Sequence, residues 1–235
     1  MSSSMDQSTV MLEARDIHRE FSLLRNRVPV LRGVDLRVKK GEAISIMGAS
    51  GAGKSTLLHI LGGLDRPTSG QVLFRERDVY ELSAARRTEL RAASFGFVFQ
   101  AYHLLPELTI EENVLLPVMR RLNWIHQAGR YRERAKELLD QVGLGERGHH
   151  RPMELSGGEQ QRAALARALM SDPEVVFADE PTGNLDSQTG ELVLRHLFAL
   201  TQEQGHTLVL VTHNEQVAER CDRTIHMKDG KVDLG

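Results

Sequence analysis

Gly48-Ala49-Ser50-Gly51-Ala52-Gly53-Lys54-Ser55-Thr56 fits the pattern G-x-x-x-x-G-K-[ST], a run that cradles phosphate. Its glycines let backbone N–H groups wrap phosphate oxygens, and a helix starting there adds the positive end of its dipole. Lys54 is placed to reach the β- and γ-phosphates of a nucleotide, the Ser55 hydroxyl to ligate Mg²⁺, and Thr56 to meet the α-phosphate. A second group, Asp179-Glu180, sets two carboxylates at the end of the apolar run Val175-Val176-Phe177-Ala178. Asp179 suits a Mg²⁺ held through water, and Glu180 can accept a proton from an attacking water. Both groups point to phosphoryl transfer to water. A third, Leu155-Ser156-Gly157-Gly158-Glu159-Gln160-Gln161-Arg162, reads as another helix start able to hold an anion. There Ser156 is the cap, Gly157 and Gly158 allow close approach, and Glu159 is the capping-box partner. Two glycine-rich helix starts for phosphate raise the question of what the second one holds.

Strands and helices in alternation must position these groups. Residues 11–47 carry short apolar alternations (Val28, Val30, Leu31, Val34, Leu36, Val38) with turns at Asn26 and Lys40-Gly41, and read as β-strands, some antiparallel. Residues 43–47 form an apolar strand running into the first glycine loop. Leu57, Ile60, Leu61 and Leu64 then recur at helical spacing, and residues 65–70 end that helix with turn chemistry. Residues 71–74 read as a further strand. Across 82–145 strand signals thin out and charged helical patterns dominate, as in 130–142, which stops at Gly143. The basic run Arg130, Arg132, Arg134 and Lys136 reads as a solvated helix face, and Trp124 and Tyr131 as packing residues. Residues 175–179 and 208–212 are continuous apolar runs with helical sequence between them, the pattern of a parallel sheet. Residues 224–232, with Asp229-Gly230 in the middle, read as a closing hairpin.

Composition bounds the function. The chain has 235 residues, 40% hydrophobic and 26% charged, in the range of a soluble globular protein. A formal net charge of -2 favours neither nucleic acid nor anionic lipid as a bulk partner. Cys221 is the only cysteine, so a monomer has no disulfide framework, and a small partly buried thiol is expected. Residues 1–10 read as a frayed polar tail without the features of a signal peptide, and no run reaches the roughly 18 apolar residues that span a bilayer. His149 and His150 are adjacent, with no further ligand at metal-binding spacing.

The motifs, in this order and spacing, resemble those of the ATP-binding subunits of ABC (ATP-binding cassette) transporters, and the resemblance covers roughly residues 11–233. It implies an α/β P-loop NTPase with a RecA-like core, an N-terminal antiparallel β subdomain and an inserted helical subdomain. As a single domain over 11–233, the core would be 11–99 and 164–233, and the helical subdomain about 100–163. Gln100, in FGFVFQ, matches the family's Q-loop glutamine, a contact to Mg²⁺ and water. LSGGEQQR matches the signature motif, Gly183-Asn184-Leu185-Asp186 the D-loop, and His213 the switch histidine that contacts the γ-phosphate. Phe21 stands where the family places an aromatic that stacks on adenine. The second glycine-rich helix start then has a role. Two subunits pair head to tail with ATP between them, and Ser156, Gly157 and Gly158 of one cap the γ-phosphate held by Lys54 of the other. The Ser156 hydroxyl would serve both, accepting in the capping box while donating to phosphate.

Gln100-Ala-Tyr-His-Leu-Leu-Pro-Glu-Leu-Thr109, LLHILGGLDRPTSG and ADEPTGNLD are similar to the lipoprotein-releasing and macrolide-export types (LolD and MacB) within the family. This implies an ATPase powering export or membrane extraction through a separate permease, with residues 100–110 and in particular Tyr102, Leu104 and Leu105 as the docking surface. The subunit would sit peripherally on the cytoplasmic face of the inner membrane, reaching it only through its partner. An alternative is a regulatory ATPase of the cell-division FtsE type. A soluble ABC protein of translation or repair would carry two cassettes or a long coiled-coil insertion, and a GTPase would show N-K-x-D; the sequence has none of these.

Overall fold

The computed structural model describes residues 10–23, 26–120 and 124–233. Most of the N-terminal tail expected from sequence lies outside the described residues. Along the chain run β1 (Val10–Leu23), β2 (Asn26–Lys39), β3 (Ala43–Met47), α1 (Lys54–Leu61), β4 (Ser69–Phe74), β5 (Arg77–Asp78) and α2 (Ala84–Ser94). There follow β6 (Phe95–Phe99), α3 (Ile110–Met119), α4 (Trp124–Gln141), α5 (Gly157–Leu169), β7 (Val175–Asp179), α6 (Ser187–Glu203), β8 (Thr207–Val211), α7 (Glu215–Ala218), β9 (Arg223–Lys228) and β10 (Lys231–Asp233). Two compact units result, one from the chain up to Thr88 and from Thr207 onward, the other from Glu89 to His206.

In the first unit β1 pairs antiparallel with β2 on one side and β4 on the other. The register slips between Ala14 and Ile17, where Asp16 takes a left-handed backbone (φ 48°), a bulge within the long strand. Leu12, Ile17, Leu31, Val34 and Val38 are buried beneath this sheet. The second sheet of the unit places β3 between β8 and β9, parallel to both, and closes with β10 antiparallel to β9. Every residue of β3 and of β8 is buried, which is why both sequences are continuous apolar runs rather than alternations. Full burial of each aliphatic side chain there contributes about 1.5–3 kcal/mol. Ser45, the polar residue within β3, donates its hydroxyl to Thr224 Oγ1 at 2.9 Å. The β9–β10 turn has φ 49° at Asp229 and 77° at Gly230, the two positive angles of a type I′ hairpin that the Asp-Gly pair predicts. The helix after the glycine loop is shorter than its apolar spacing suggests. Gly63 N–H bonds to Ile60 O and Leu64 N–H to His59 O, a Schellman stop at Gly62-Gly63 that leaves Leu64 exposed beyond the helix.

The second unit contains a strand the sequence hid among charged helical patterns. β6 pairs in parallel with β7, Phe95 opposite Val175 through Phe99 opposite Asp179. Its phenyl rings form a ladder, Phe97 against Phe99 at 5.8 Å and against Phe177 at 5.3 Å. Helices α3, α4 and α5 pack together in this unit. Thr109 and Glu112 form a capping box at the start of α3, and Trp124 stacks on Tyr131 at 5.7 Å. The basic face of α4 is not wholly solvated. Arg134 donates to the carbonyls of Met170 and Leu169, both at 3.2 Å, and so caps the C-terminal end of α5.

Candidate functional site

The glycine loop leaves the end of β3 in the first unit. Gly48 has φ 153°, and a Cβ there would stand 2.2 Å from the Met227 carbonyl oxygen, so only glycine fits. The loop closes through Ala52 N–H to Ala49 O at 3.1 Å and is tied down by Gly230 N–H to Ala52 O at 3.2 Å. Helix α1 starts at Lys54 with Gly53 as its cap, no side-chain cap bond and no acid in its first turn. The cap residue itself thus brings no side-chain oxygen to the first N–H groups. Lys54 is 7% exposed, and its ammonium donates to Gly48 O at 2.9 Å and Ala49 O at 3.1 Å. These partners are neutral carbonyls, and among the described residues no carboxylate pairs with this buried cation. A cradle of N–H groups around an uncompensated ammonium suits a polyphosphate.

Ala49, Ser50, Gly51 and Ser55 are exposed, Thr56 is half-buried, and Ala52 and Gly53 are buried. Beside β3, Thr212 N–H bonds to Ile46 O at 3.2 Å, so the exposed His213 leaves the sheet at the same edge as the glycine loop. Phe21, at the far end of β1, is 38% exposed. Arg19 lies 4.3 Å over its ring and is held by Asp65 at 2.9 Å, so one ring face is taken. Cys221 plays no part in this chemistry, since burial pushes its thiol up to about 12.

The second unit gathers the other residues. Phe99 and Asp179 are paired in register, so Gln100 and Glu180 emerge side by side at the carboxyl edge of two parallel strands. Glu180 has φ 43°, a left-handed backbone that is costly for a residue with a Cβ and is held here by the turn Gly183 N–H to Glu180 O at 3.0 Å. Gln100 and Asn184 bond reciprocally, Gln100 Nε2 to Asn184 Oδ1 at 3.0 Å and Asn184 Nδ2 to Gln100 O at 3.2 Å. The exposed Asp186 caps α6, accepting from Thr189 N–H at 3.0 Å, and its bonds to Thr189 hold its carboxyl below the ordinary range.

At the start of α5, Ser156 and Glu159 form the capping box expected from the S-x-x-E spacing. Glu159 Oε2 accepts from Ser156 N–H at 2.9 Å and from the Ser156 hydroxyl at 2.8 Å, and Ser156 Oγ accepts from Glu159 N–H at 3.3 Å. These bonds, with Arg147 and Arg162 nearby, hold the Glu159 carboxyl below its usual range. The Ser156 hydroxyl, expected to accept in the box while donating to a phosphate, here donates to Glu159. Gly158 is buried, and a Cβ on Gly157 would stand 2.7 Å from the Tyr102 hydroxyl oxygen, so Tyr102 lies over this helix start.

Two more residues of α5 bind the chain on either side of Gln100, and sequence reasoning assigned neither. Arg167 donates to Tyr102 O at 2.8 Å and to His103 O, and its burial lowers the guanidinium pKa. Gln161, fully buried, donates to Phe99 O and Pro181 O. Both act on backbone carbonyls, which leave no trace in residue spacing.

Residues 31–183 match the family model described as ABC transporter. The lipoprotein-releasing system ATP-binding protein LolD of Syntrophotalea carbinolica is 48% identical over 97% of this chain and 99% of its own length. The macrolide export ATP-binding/permease protein MacB of Wolinella succinogenes is 49% identical over 94% of this chain and 34% of its own. Among solved structures, the dimeric ATP-binding cassette MJ0796 in a post-hydrolysis state bound to ADP and Pi superposes with a TM-score of 0.88 at 41% identity, covering 95% of this chain and 97% of that one. With its phosphate cradle, paired strand ends and signature helix, the chain belongs to the ABC transporter family and is its ATP-hydrolysing subunit.

Proposed function

We propose that this subunit powers membrane extraction or export of the lipoprotein-releasing type, acting on a separate permease. The observation that carries this reading is the match to a lipoprotein-releasing ATP-binding protein along nearly the full length of both chains. Among the described residues no helix is long and apolar enough to cross a membrane, which accords with a peripheral subunit that reaches the cytoplasmic face of the inner membrane through its permease. Residues 100–110 form the docking surface, with Leu105 45% exposed and Tyr102 and Leu104 half-buried.

The site roles follow from the chemistry each residue offers. The loop 48–53 and Thr56 bind the α- and β-phosphates, and Lys54 carries positive charge to the β- and γ-phosphates. Ser55, Gln100 and, through water, Asp179 would hold Mg²⁺, which would supply charge neutralisation on the phosphates. Glu180 takes the proton of the attacking water, and His213 donates to the γ-phosphate. Phe21 offers its open ring face to adenine. Two copies form an isologous dimer in the ATP-bound state, with Ser156, Gly157 and Gly158 of one on the γ-phosphate bound by the other and Asp186 completing the closed site. Hydrolysis removes the group both copies grip, and the dimer opens. The dimeric state of MJ0796 supports this part of the reading.

The test uses Glu180→Gln. With Mg-ATP it should retain nucleotide, form a stable dimer and turn over about 10²–10⁴-fold more slowly. Gently solubilised from native membranes with ATP, the tagged variant should bring down a permease with a large extracytoplasmic domain. Normal turnover removes Glu180 from its role, and repeated recovery without any membrane protein removes the permease.

A further inference from the structure

Gln161 sits on the inner face of α5, fully buried, five residues beyond the helix cap. Its amide Nε2 donates to Phe99 O at 3.0 Å and to Pro181 O at 2.6 Å. Both partners are acceptors, so the amide orientation is fixed by the network. Its Oε1 is buried with no hydrogen-bond partner. An aliphatic side chain would avoid the orphaned Oε1 but would take from Phe99 O and Pro181 O the donor they share. What the carboxamide alone supplies is a link between two backbone carbonyls. Phe99 immediately precedes Gln100, and Pro181 immediately follows Glu180. Gln161 therefore grips the ends of the two strands that carry the glutamine and the carboxylate of the proposed hydrolytic step.

We propose that Gln161 is a positioning residue for ATP hydrolysis, setting Gln100 and Glu180 relative to the signature helix. The Asn184–Gln100 pair closes the same two segments from the exposed side, so the left-handed turn at Glu180 is held at both ends. Any tilt of α5 that follows a phosphate reaching Ser156–Gly158 passes through one rigid carboxamide to both strand ends. The proposal rests on the roles of Glu180 and the signature helix given above and adds a residue those roles do not contain.

The experiment measures steady-state and single-turnover ATP hydrolysis by the full chain. Gln161→Met keeps the length of the side chain and removes both donors. It should lower kcat by about 10–100-fold, the cost of misplacing a reacting group, with KM for ATP changed less than about twofold and a melting temperature well above the assay temperature. In a Glu180→Gln background the same substitution should slow single-turnover hydrolysis by a clearly smaller factor than in the wild type, because one of the two groups it positions is already disabled. Gln161→Glu gives a second readout. Between two carbonyls its carboxyl favours the protonated form, which restores one donor, so its activity relative to wild type should rise as the pH falls. A folded Gln161→Met with wild-type kcat overturns the proposal. So does a full multiplicative loss on top of Glu180→Gln. If Gln161→Met does not fold, a flat pH ratio for Gln161→Glu overturns it. Failure of Glu180 itself is separately visible, since Glu180→Gln alone would then hydrolyse ATP normally.

Discussion

The two glycine-rich helix starts in this chain look alike in sequence and differ in how their donors are used. At α1 the cap is Gly53, which makes no side-chain cap bond, and the first turn carries no acid. The nearby positive charge, Lys54, is buried against carbonyls. At α5 the cap is Ser156, and Glu159 is bonded to both its N–H and its hydroxyl. The first start is capped by a glycine and carries a cation bonded to neutral carbonyls, which suits it to take a phosphate by itself. The second carries its own carboxylate where an anion would come, so it is stable without a ligand. A phosphate arriving there must take the Ser156 hydroxyl from Glu159. That asymmetry suits a subunit that keeps nucleotide on one surface and engages its partner's nucleotide only transiently.

The largest effect should come from the first start. Lys54→Ala removes the one buried cation of the loop, and nucleotide affinity should fall by about 10–150-fold, as for loss of a charge-assisted bond, with turnover lost to background. Equilibrium binding of a fluorescent nucleotide checks it. Affinity within about threefold of wild type would mean that the backbone N–H groups hold the phosphates unaided.

Ser156→Arg tests the second start. Nucleotide affinity of the isolated subunit should stay within about threefold, while kcat falls by about 10²-fold or more through loss of a donor aimed at developing charge. Mixed with a Lys54→Ala subunit, which lacks the opposite surface, Ser156→Arg should regain hydrolysis at one of the two shared sites. If binding were lost with turnover, both helix starts would serve one nucleotide within one subunit, and the contrast between them would collapse.

Much of this was readable in advance, for identifiable reasons. The glycine loop, the capping box and the Asp229-Gly230 turn are each fixed by neighbours within a few residues. Strand β6 was not readable, because FGFVF follows a charged helix and its support comes from Phe177, 80 residues away when numbered from Phe97. Leu64 fits the helical spacing of Leu57 and Leu61, yet the Gly62-Gly63 stop outweighs periodicity. Arg134 in a basic run gives no sign that it serves the carbonyls of Leu169 and Met170. Gln161 was visible only as a letter in the signature motif. Its importance lies in where tertiary packing brings the carbonyls of Phe99 and Pro181.

The smallest and most informative change is Glu159→Gln. It removes the resident charge from the second helix start while keeping an acceptor for the Ser156 N–H. ATP-dependent dimer formation, followed by light scattering in a Glu180→Gln background, should reach half-saturation at about three- to tenfold lower ATP, because the incoming phosphate no longer meets a carboxylate within the first turn. Stability should move the other way. The Glu159 carboxyl is held below its ordinary range, chiefly by the bond from the Ser156 backbone and then by its hydroxyl. A lowered pKa in the folded state contributes stability that is present above the unfolded value, about 4.3, and is lost as pH falls through the folded one. The wild-type subunit should therefore be slightly more stable than Glu159→Gln near pH 7, and the difference should shrink below about pH 4. Tighter dimerisation with lower monomer stability would show that Glu159 gives the free helix its cap and gives up part of that bond when the partner's phosphate arrives. An unchanged dimerisation curve would leave Glu159 as a cap alone and return the Ser156 hydroxyl to serving both partners at once.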